Sequence, residues 1–329
     1  MNLLFDQRWI GPHGIGRFAS EVSRRLPMKA LGASGRPLDL WDPWVLRQHL
    51  LKAKPDHFFS PGFNAPLGNP CPFSLTIHDL IHLDVPEERS RMKWAYYQVI
   101  VKPALYKARC VFTVSEASRE RLSEWSGLPE NHIVVAGNGV GPDFGPEGPS
   151  WPHPKPYILY IGNQKPHKNV EGLVEAFGTS KLSKDFDLLL SGDFSPSIAS
   201  KITACGLEDN VIALGPINEQ DLPSLYRGAE LLVMPSFHEG FGLPLVEAMA
   251  SGTPVIASRT PALLEIGGPA ARFFDSSNLE EMVDALQTVF DRSVTQKLST
   301  LGLDWVRRYD WDHVAKRVLE GITKEGASL

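Results

Sequence analysis

Residues Leu231 to Ser258 read without a gap as strand, loop, helix, turn and strand, and no other stretch limits the fold so tightly. Leu231-Leu232-Val233-Met234 is a short, continuous apolar run, the pattern of a strand covered on both faces. Pro235 and Ser236 stop it. Phe237 to Gly242 is a loop carrying two glycines. Leu245, Val246, Ala248, Met249 and Ala250 suit a buried helix with Pro244 in its first turn. Ser251-Gly252 ends that helix and Val255-Ile256-Ala257 begins the next strand. Apolar runs alternate with helical stretches along the rest of the chain, which implies parallel sheets and an α/β fold.

Two acids stand in this stretch. Glu239 lies in the loop at a strand's carboxyl end, and Glu247 lies about one turn into the helix. Ligands of open α/β sheets bind at the carboxyl ends of strands. The backbone N–H groups of Phe241, Gly242 and Leu243 would sit at a helix N-terminus, where phosphate binds readily. A carboxylate on each side of such an anion site can accept hydrogen bonds from sugar hydroxyls. The structural alternative is a helix-capping Glu239 and a Glu247 paired with a cation. Acids, glycines and flanking strands fit the site reading together.

The run PSFHEGFGLPLVEAMASGTPVIAS closely resembles the E-x7-E segment of the retaining GT-B glycosyltransferases of the GT4 group, glycosyl transferases group 1. The resemblance covers nearly all of the chain and is strongest from 157 to 275. It implies two Rossmann-like domains with parallel sheets facing across a cleft. It also implies that Glu239 contacts the transferred sugar and Glu247 the ribose of the nucleotide. His78-Asp79-Leu80, at the end of the strand Phe73 to Ile77, matches the family's TxHD motif. His78 would then lie near the sugar, with Asp79 supporting the loop. Lys168 fits by position the lysine that reaches the donor diphosphate. Many members also carry an arginine shortly after the glycine at 162. Asn163 stands there instead, with Lys165 and His167 nearby, so the second phosphate cation is left open. The base is expected against the turn Gly215 to Ile217.

The first strand, Leu3-Leu4-Phe5, leads to glycines at 11, 14 and 16, and a helix is expected from about Arg17 to Leu26. This spacing is not G-x-G-x-x-G, and no acid ends a clear second strand about 20 residues on, so a NAD site is not supported. The segment GIGRFASEVSRRL instead resembles the first loop and helix of the same family, where Gly14 and Gly16 let backbone approach donor or acceptor. For Gly11 a tight strand-to-helix turn is reason enough. A further helix is read from Val45 to Lys54. Residues 261–266 resemble a loop of the family.

Composition narrows the class. The 329 residues are enough for two domains, read as 1–150, binding the acceptor, and 151–308, binding the nucleotide sugar, with 309–329 a helix crossing back to the first. The proline- and glycine-rich stretch Pro142 to Pro156 reads as the linker. Net charge of −5 gives no reason to expect nucleic acid. Residues 1–150 hold 17 Lys/Arg against 15 Asp/Glu, and 151–329 hold 16 against 23, so +2 and −7. Cys71, Cys110 and Cys205 have no metal spacing and cannot all pair, which suits a reducing cytoplasm. No apolar run spans a membrane and the N-terminus does not read as a signal peptide.

The function implied is transfer of a sugar from a nucleotide-diphosphate donor to an acceptor hydroxyl with retention. GDP-mannose is favoured over UDP-glucose, and the acceptor is a saccharide or lipid-linked saccharide of cell-surface synthesis. Lys168 and the N–H groups at 241–243 would carry the diphosphate charge without metal or other cofactor. Residues 89–109 hold six cations, Trp94, Tyr96, Tyr97, Tyr106 and no acid, so a reversible contact with anionic membrane is expected there. A sugar-nucleotide epimerase of the same architecture and a non-catalytic binding scaffold are the alternatives. Changed nucleotide sugar without an acceptor marks the first, and slow donor hydrolysis by the pure protein would exclude the second.

Overall fold

The computed structural model of the chain describes residues 1–37 and 39–324. Among these, twelve strands form two six-stranded sheets in which every neighbouring pair is parallel. The chain divides into two compact units, one of Met1–Gly139 with the segment from Asp310, the other of Val140–Tyr309. The boundary read at residue 150 thus falls inside the second unit. The proline-rich stretch packs there, with the Trp151 N–H donating to Ser224 O at 2.9 Å and Arg227 Nε to Pro149 O at 2.9 Å.

In the first unit the strands are β1 (Leu3–Phe5), β2 (Lys29–Ala30), β3 (His57–Ser60), β4 (Phe73–Thr76), β5 (Cys110–Thr113) and β6 (Ile133–Val135), in the order β2-β1-β3-β4-β5-β6. β3, β4 and β5 are buried at every position, as short apolar strands covered by helices should be. The helix Trp311–Thr323 returns to this unit. Trp311 is fully buried, its ring 6.4 Å from that of Phe18. Gly321 lies so close to β5 that a Cβ there would come within 2.6 Å of the Phe112 ring.

Helix starts in this unit differ from the periodicity reading. The first helix is Gly14–Arg25, three residues earlier than expected, because His13 Nδ1 accepts the Gly16 N–H at 2.9 Å and caps it. The second is Asp42–Ala53 rather than Val45 to Lys54. Pro43 suits its first turn, and Lys54, with φ +45°, is left-handed and ends it.

In the second unit the strands are β7 (Tyr157–Tyr160), β8 (Asp187–Leu190), β9 (Val211–Ala213), β10 (Leu231–Met234), β11 (Val255–Ser258) and β12 (Ala271–Phe274), in the order β12-β11-β10-β7-β8-β9. The chain winds from β7 to β9 on one side, returns, and lays β10 to β12 on the other. That is the doubly wound nucleotide-binding order, and the connections after β7 and β10 leave in opposite directions. In doubly wound sheets the ligand crevice lies where such connections part. The helix Leu243–Ala250 connects β10 to β11, with Pro244 in its first turn as expected. Residues read as a loop at 261–266 form the helix Pro261–Gly267, because the Thr260 hydroxyl caps it and Pro261 fits its first position.

Candidate active site

The loops that follow β7 and β10 carry Lys168 and Glu239, and the fold brings these two side chains together. Lys168 Nζ donates to Glu239 Oε1 at 2.8 Å. Both side chains are mostly buried, 15% and 10% exposed. Glu239 Oε1 also accepts from Ser236 Oγ at 2.8 Å. The two loops are joined by backbone as well, Phe237 N–H donating to His167 O at 2.8 Å. A lysine and a carboxylate 71 positions apart thus meet at the topological switch point of the sheet.

Local backbone explains how Lys168 is aimed. It closes the turn Pro166–Lys168, and the next residue, Asn169, has φ +54°, a region that few side chains other than glycine and asparagine adopt. Asn169 Nδ2 donates to Ser276 O at 3.0 Å, and Ser276 Oγ donates to Pro235 O at 2.7 Å. The lysine turn is therefore braced against the loop that holds Glu239. The left-handed residue is the cost of turning Lys168 over the strand ends.

Glu247 lies within the helix and is 5% exposed. Its Oε2 accepts from Tyr226 Oη at 2.8 Å. Gly242 precedes the helix with φ +96°, and a Cβ there would come within 2.6 Å of Leu263, so glycine is required on both counts. The positive end of this eight-residue helix, with the N–H groups of Phe241, Gly242 and Leu243, follows the Glu239 loop directly. Phe241 is buried with its ring edge-on to Tyr309.

The turn expected to face the base lies at the end of β9. Gly215 has φ +62°, and its carbonyl accepts the Gly192 N–H at 2.9 Å, which closes the ends of β8 and β9. Ile217 follows, half-buried. Asn163 organises its own loop: its carbonyl accepts from Tyr160 Oη at 2.6 Å and its Oδ1 from the Lys165 N–H at 3.2 Å. Lys165 is exposed and His167 is buried.

His78, Gly14 and Gly16 belong to the first unit. His78 is buried, its Nε2 2.9 Å from Pro61 O and its ring edge-on to Phe18. Burial lowers its pKa, so the imidazole is neutral at pH 7 with Nε2 as the donor. Asp79 Oδ1 accepts the Ile81 N–H at 3.1 Å and supports the loop as expected. Gly16 is needed within the chain itself, since a Cβ there would come within 2.1 Å of Gly11 O.

The loop carrying Pro61 is held by a buried network that the sequence does not announce. Asn64 Nδ2 donates to Asp6 Oδ2 at 2.8 Å and to Asp42 Oδ2 at 3.0 Å. Arg8 bridges the same two acids at 2.6 Å each. Buried charges persist only when paired in this way.

Two family models tile the chain, "Glycosyltransferase Family 4" over residues 6–144 and "Glycosyl transferases group 1" over residues 146–299. The chain belongs to the GT4-type glycosyltransferases. This glycosyltransferase is 29% identical over 259 residues to O-antigen chain mannosyltransferase B of Escherichia coli, covering 74% of this chain and 68% of that one. It is 31% identical over 220 residues to the MMP alpha-(1->4)-mannosyltransferase of Mycolicibacterium hassiacum, covering 64% and 52%. It is 25% identical to the serotype-specific mannosyltransferase WbdA of Escherichia coli over 66% of this chain, but spans only 29% of that protein. Among solved structures, Anabaena Alr3699/HepE in complex with UDP and glucose superposes with a TM-score of 0.79 at 18% identity, covering 99% of this chain and 100% of that one. WaaG, a glycosyltransferase involved in lipopolysaccharide biosynthesis, gives 0.78 at 14%, with the same coverage. The two parallel α/β units of the glycosyltransferase are those of the GT-B class.

Sequence reasoning passed over three residues of this site. Ser236 stands three positions before Glu239, a spacing that suits a local hydrogen bond, and Asn169 adjoins Lys168. Both were within reach. Tyr226 lies in a helix 21 positions from Glu247, and no local pattern joins them.

Proposed function

We propose that this glycosyltransferase moves a hexosyl group, mannosyl in first preference and glucosyl next, from a nucleotide-diphosphate sugar to an acceptor hydroxyl with retention, in the synthesis of cell-surface polysaccharide or glycolipid. The observation that carries the reading is the Lys168–Glu239 pair, 2.8 Å apart at the switch point of the second sheet. The mannosyltransferase relatives support the choice of sugar, and the UDP-bound Anabaena structure supports a nucleotide donor.

The chemistry follows from the charges. Without donor, Lys168 and Glu239 neutralise each other. A bound diphosphate offers Lys168 a stronger counter-ion, which releases Glu239 to accept hydrogen bonds from hydroxyls of the transferred sugar. Glu247 accepts from the ribose, and the turn Gly215 to Ile217 faces the base. As the bond from the anomeric carbon to the phosphate oxygen breaks, negative charge grows on the diphosphate. Lys168 and the N–H groups of Phe241, Gly242 and Leu243 are aimed at that charge before it forms. The acceptor oxygen bonds the anomeric carbon on the same face, and its proton goes to the departing phosphate. The lysine and helix terminus supply the positive charge, so no metal or cofactor enters the reading. His78, held neutral in the first unit, serves as a hydrogen-bond partner for a sugar hydroxyl.

A melting screen of GDP- and UDP-sugars tests this. A donor at a hundred times its dissociation constant should stabilise the protein by about 2.7 kcal/mol. Glu247→Ala should remove most of that shift. If no nucleotide sugar raises the melting temperature and none is consumed in the presence of saccharide acceptors, the reading is wrong.

Membrane contact is the finer part of the proposal. Residues Arg91–Leu105 are helical, with a wide turn at Tyr97–Val101. Tyr97, Val101, Ala104 and Leu105 face the core, while Met92, Trp94, Val99 and Tyr106 are exposed. The six cations divide. Arg89, Lys93, Lys102 and Arg109 donate to the backbone carbonyls of Leu83, Glu88, Trp125 and Lys324. Arg91 and Lys107 are exposed beside the apolar face. These two could each add about 1 kcal/mol on anionic lipid. Co-sedimentation with vesicles rich in anionic lipid should therefore fall with Arg91→Glu/Lys107→Glu, and fall further with Met92→Ser/Val99→Ser. Binding that ignores both pairs of changes overturns the contact.

A further inference from the structure

We propose that Tyr226 is a positioning residue for the nucleotide, its hydroxyl aiming the Glu247 carboxylate at the ribose. The inference rests on the ribose role given above to Glu247. Tyr226 is fully buried on the helix Leu222–Gly228, and Glu247 is buried on the helix Leu243–Ala250. The 2.8 Å hydrogen bond from Tyr226 Oη to Glu247 Oε2 joins them side chain to side chain.

A phenylalanine would fill the same volume without a buried hydroxyl. The hydroxyl is tolerated because it meets a carboxyl acceptor at hydrogen-bond distance. The ring has little freedom to go elsewhere. Thr253 Oγ1 donates to the Tyr226 carbonyl at 2.6 Å and fixes the backbone where the ring starts. Phe144, from the proline-rich stretch, lies against the ring at 5.9 Å between centroids. A fixed hydroxyl on one carboxylate oxygen sets the plane of the whole group, and with it the directions in which its lone pairs can accept. Glutamate otherwise loses rotamer freedom when a ligand orders it, and Tyr226 removes that cost before the nucleotide arrives.

The test compares GDP and UDP with their 2′,3′-dideoxy counterparts by equilibrium binding. The wild-type protein should prefer the ribose form of whichever base it accepts. Tyr226→Phe should lower affinity for that ribonucleotide about tenfold, the loss of one buried hydrogen bond. It should leave the dideoxy form unmoved, so the preference disappears. In turnover the loss should fall on the donor KM rather than on kcat. In the Glu247→Ala background the same substitution should have no further effect on binding, since its partner is gone. Equal weakening of both nucleotide forms would show a packing role only and overturn the proposal, as would unchanged affinity. If the wild type itself does not distinguish ribose from dideoxyribose, the assignment of Glu247 fails first, and this inference falls with it.

Discussion

Lys168→Ala is expected to lower the rate of sugar transfer by about 10²–10³-fold, the scale on which loss of one preorganised electrostatic donor is felt. The loss should appear in kcat, because the lysine is needed most as charge develops on the leaving diphosphate. The ligand-free protein should also be less stable. Lys168 and Glu239 are mostly buried at 2.8 Å, and removing the cation leaves a carboxylate with Ser236 in a poorly solvated place. Lys168→Met/Glu239→Gln separates the two effects. The double change removes both charges and keeps an acceptor for Ser236, so the melting temperature should return toward the wild-type value while activity does not. Activity of Lys168→Ala within about threefold of wild type would remove the lysine from the mechanism, since a group that stabilises the transition state cannot be dispensable.

Trp311→Ala is expected to destabilise the first unit by about 3–5 kcal/mol, as large-to-small changes at buried aromatic positions do. Trp311 is 1% exposed and its ring lies near Phe18. There is no room for the chain to close over the gap, because Gly139 already touches the Trp311 backbone so closely that a Cβ would come within 2.4 Å of its nitrogen. The effect should reach the site in that unit, since Phe18 packs edge-on against His78 at 5.0 Å. Urea unfolding followed by circular dichroism reads the loss as a lower midpoint. A change below about 1 kcal/mol would mean that the returning helix is not part of the core of this unit.

The E-x7-E stretch was legible because its physics is local. A strand too short and too apolar to be anything but buried, a proline that can only open a helix, and a glycine forced to φ +96° each act within a few residues. Strand β10, the helix after it and strand β11 therefore lie where the pattern places them. Where the reading failed, a single contact had overridden periodicity. His13 begins its helix at Gly14 by capping it through Gly16, and apolar spacing carries no record of such a bond. Thr260 and Pro261 do carry a helix-start signal, which the loop reading passed over. Residues 89–109 were read as one basic surface because sequence counts charges. The structure shows that four of the six cations hold backbone carbonyls.

The sequence by itself determined the two α/β units, the order of their main elements, and the candidate residues Lys168, Glu239, Glu247 and His78. Backbone preference and burial pattern are properties of neighbours along the chain. Only the tertiary structure decided that Lys168 and Glu239 touch, that Tyr226 holds Glu247, and that Asn64 joins Asp6 and Asp42. Those pairings depend on strand order. The chain returns after β9 to place β10 beside β7, and that return brings side chains 71 positions apart together beyond the carboxyl ends of the two central strands. Burial of the apolar strands of this second sheet selects the order, and it does so through that unit's core as a whole rather than through any motif.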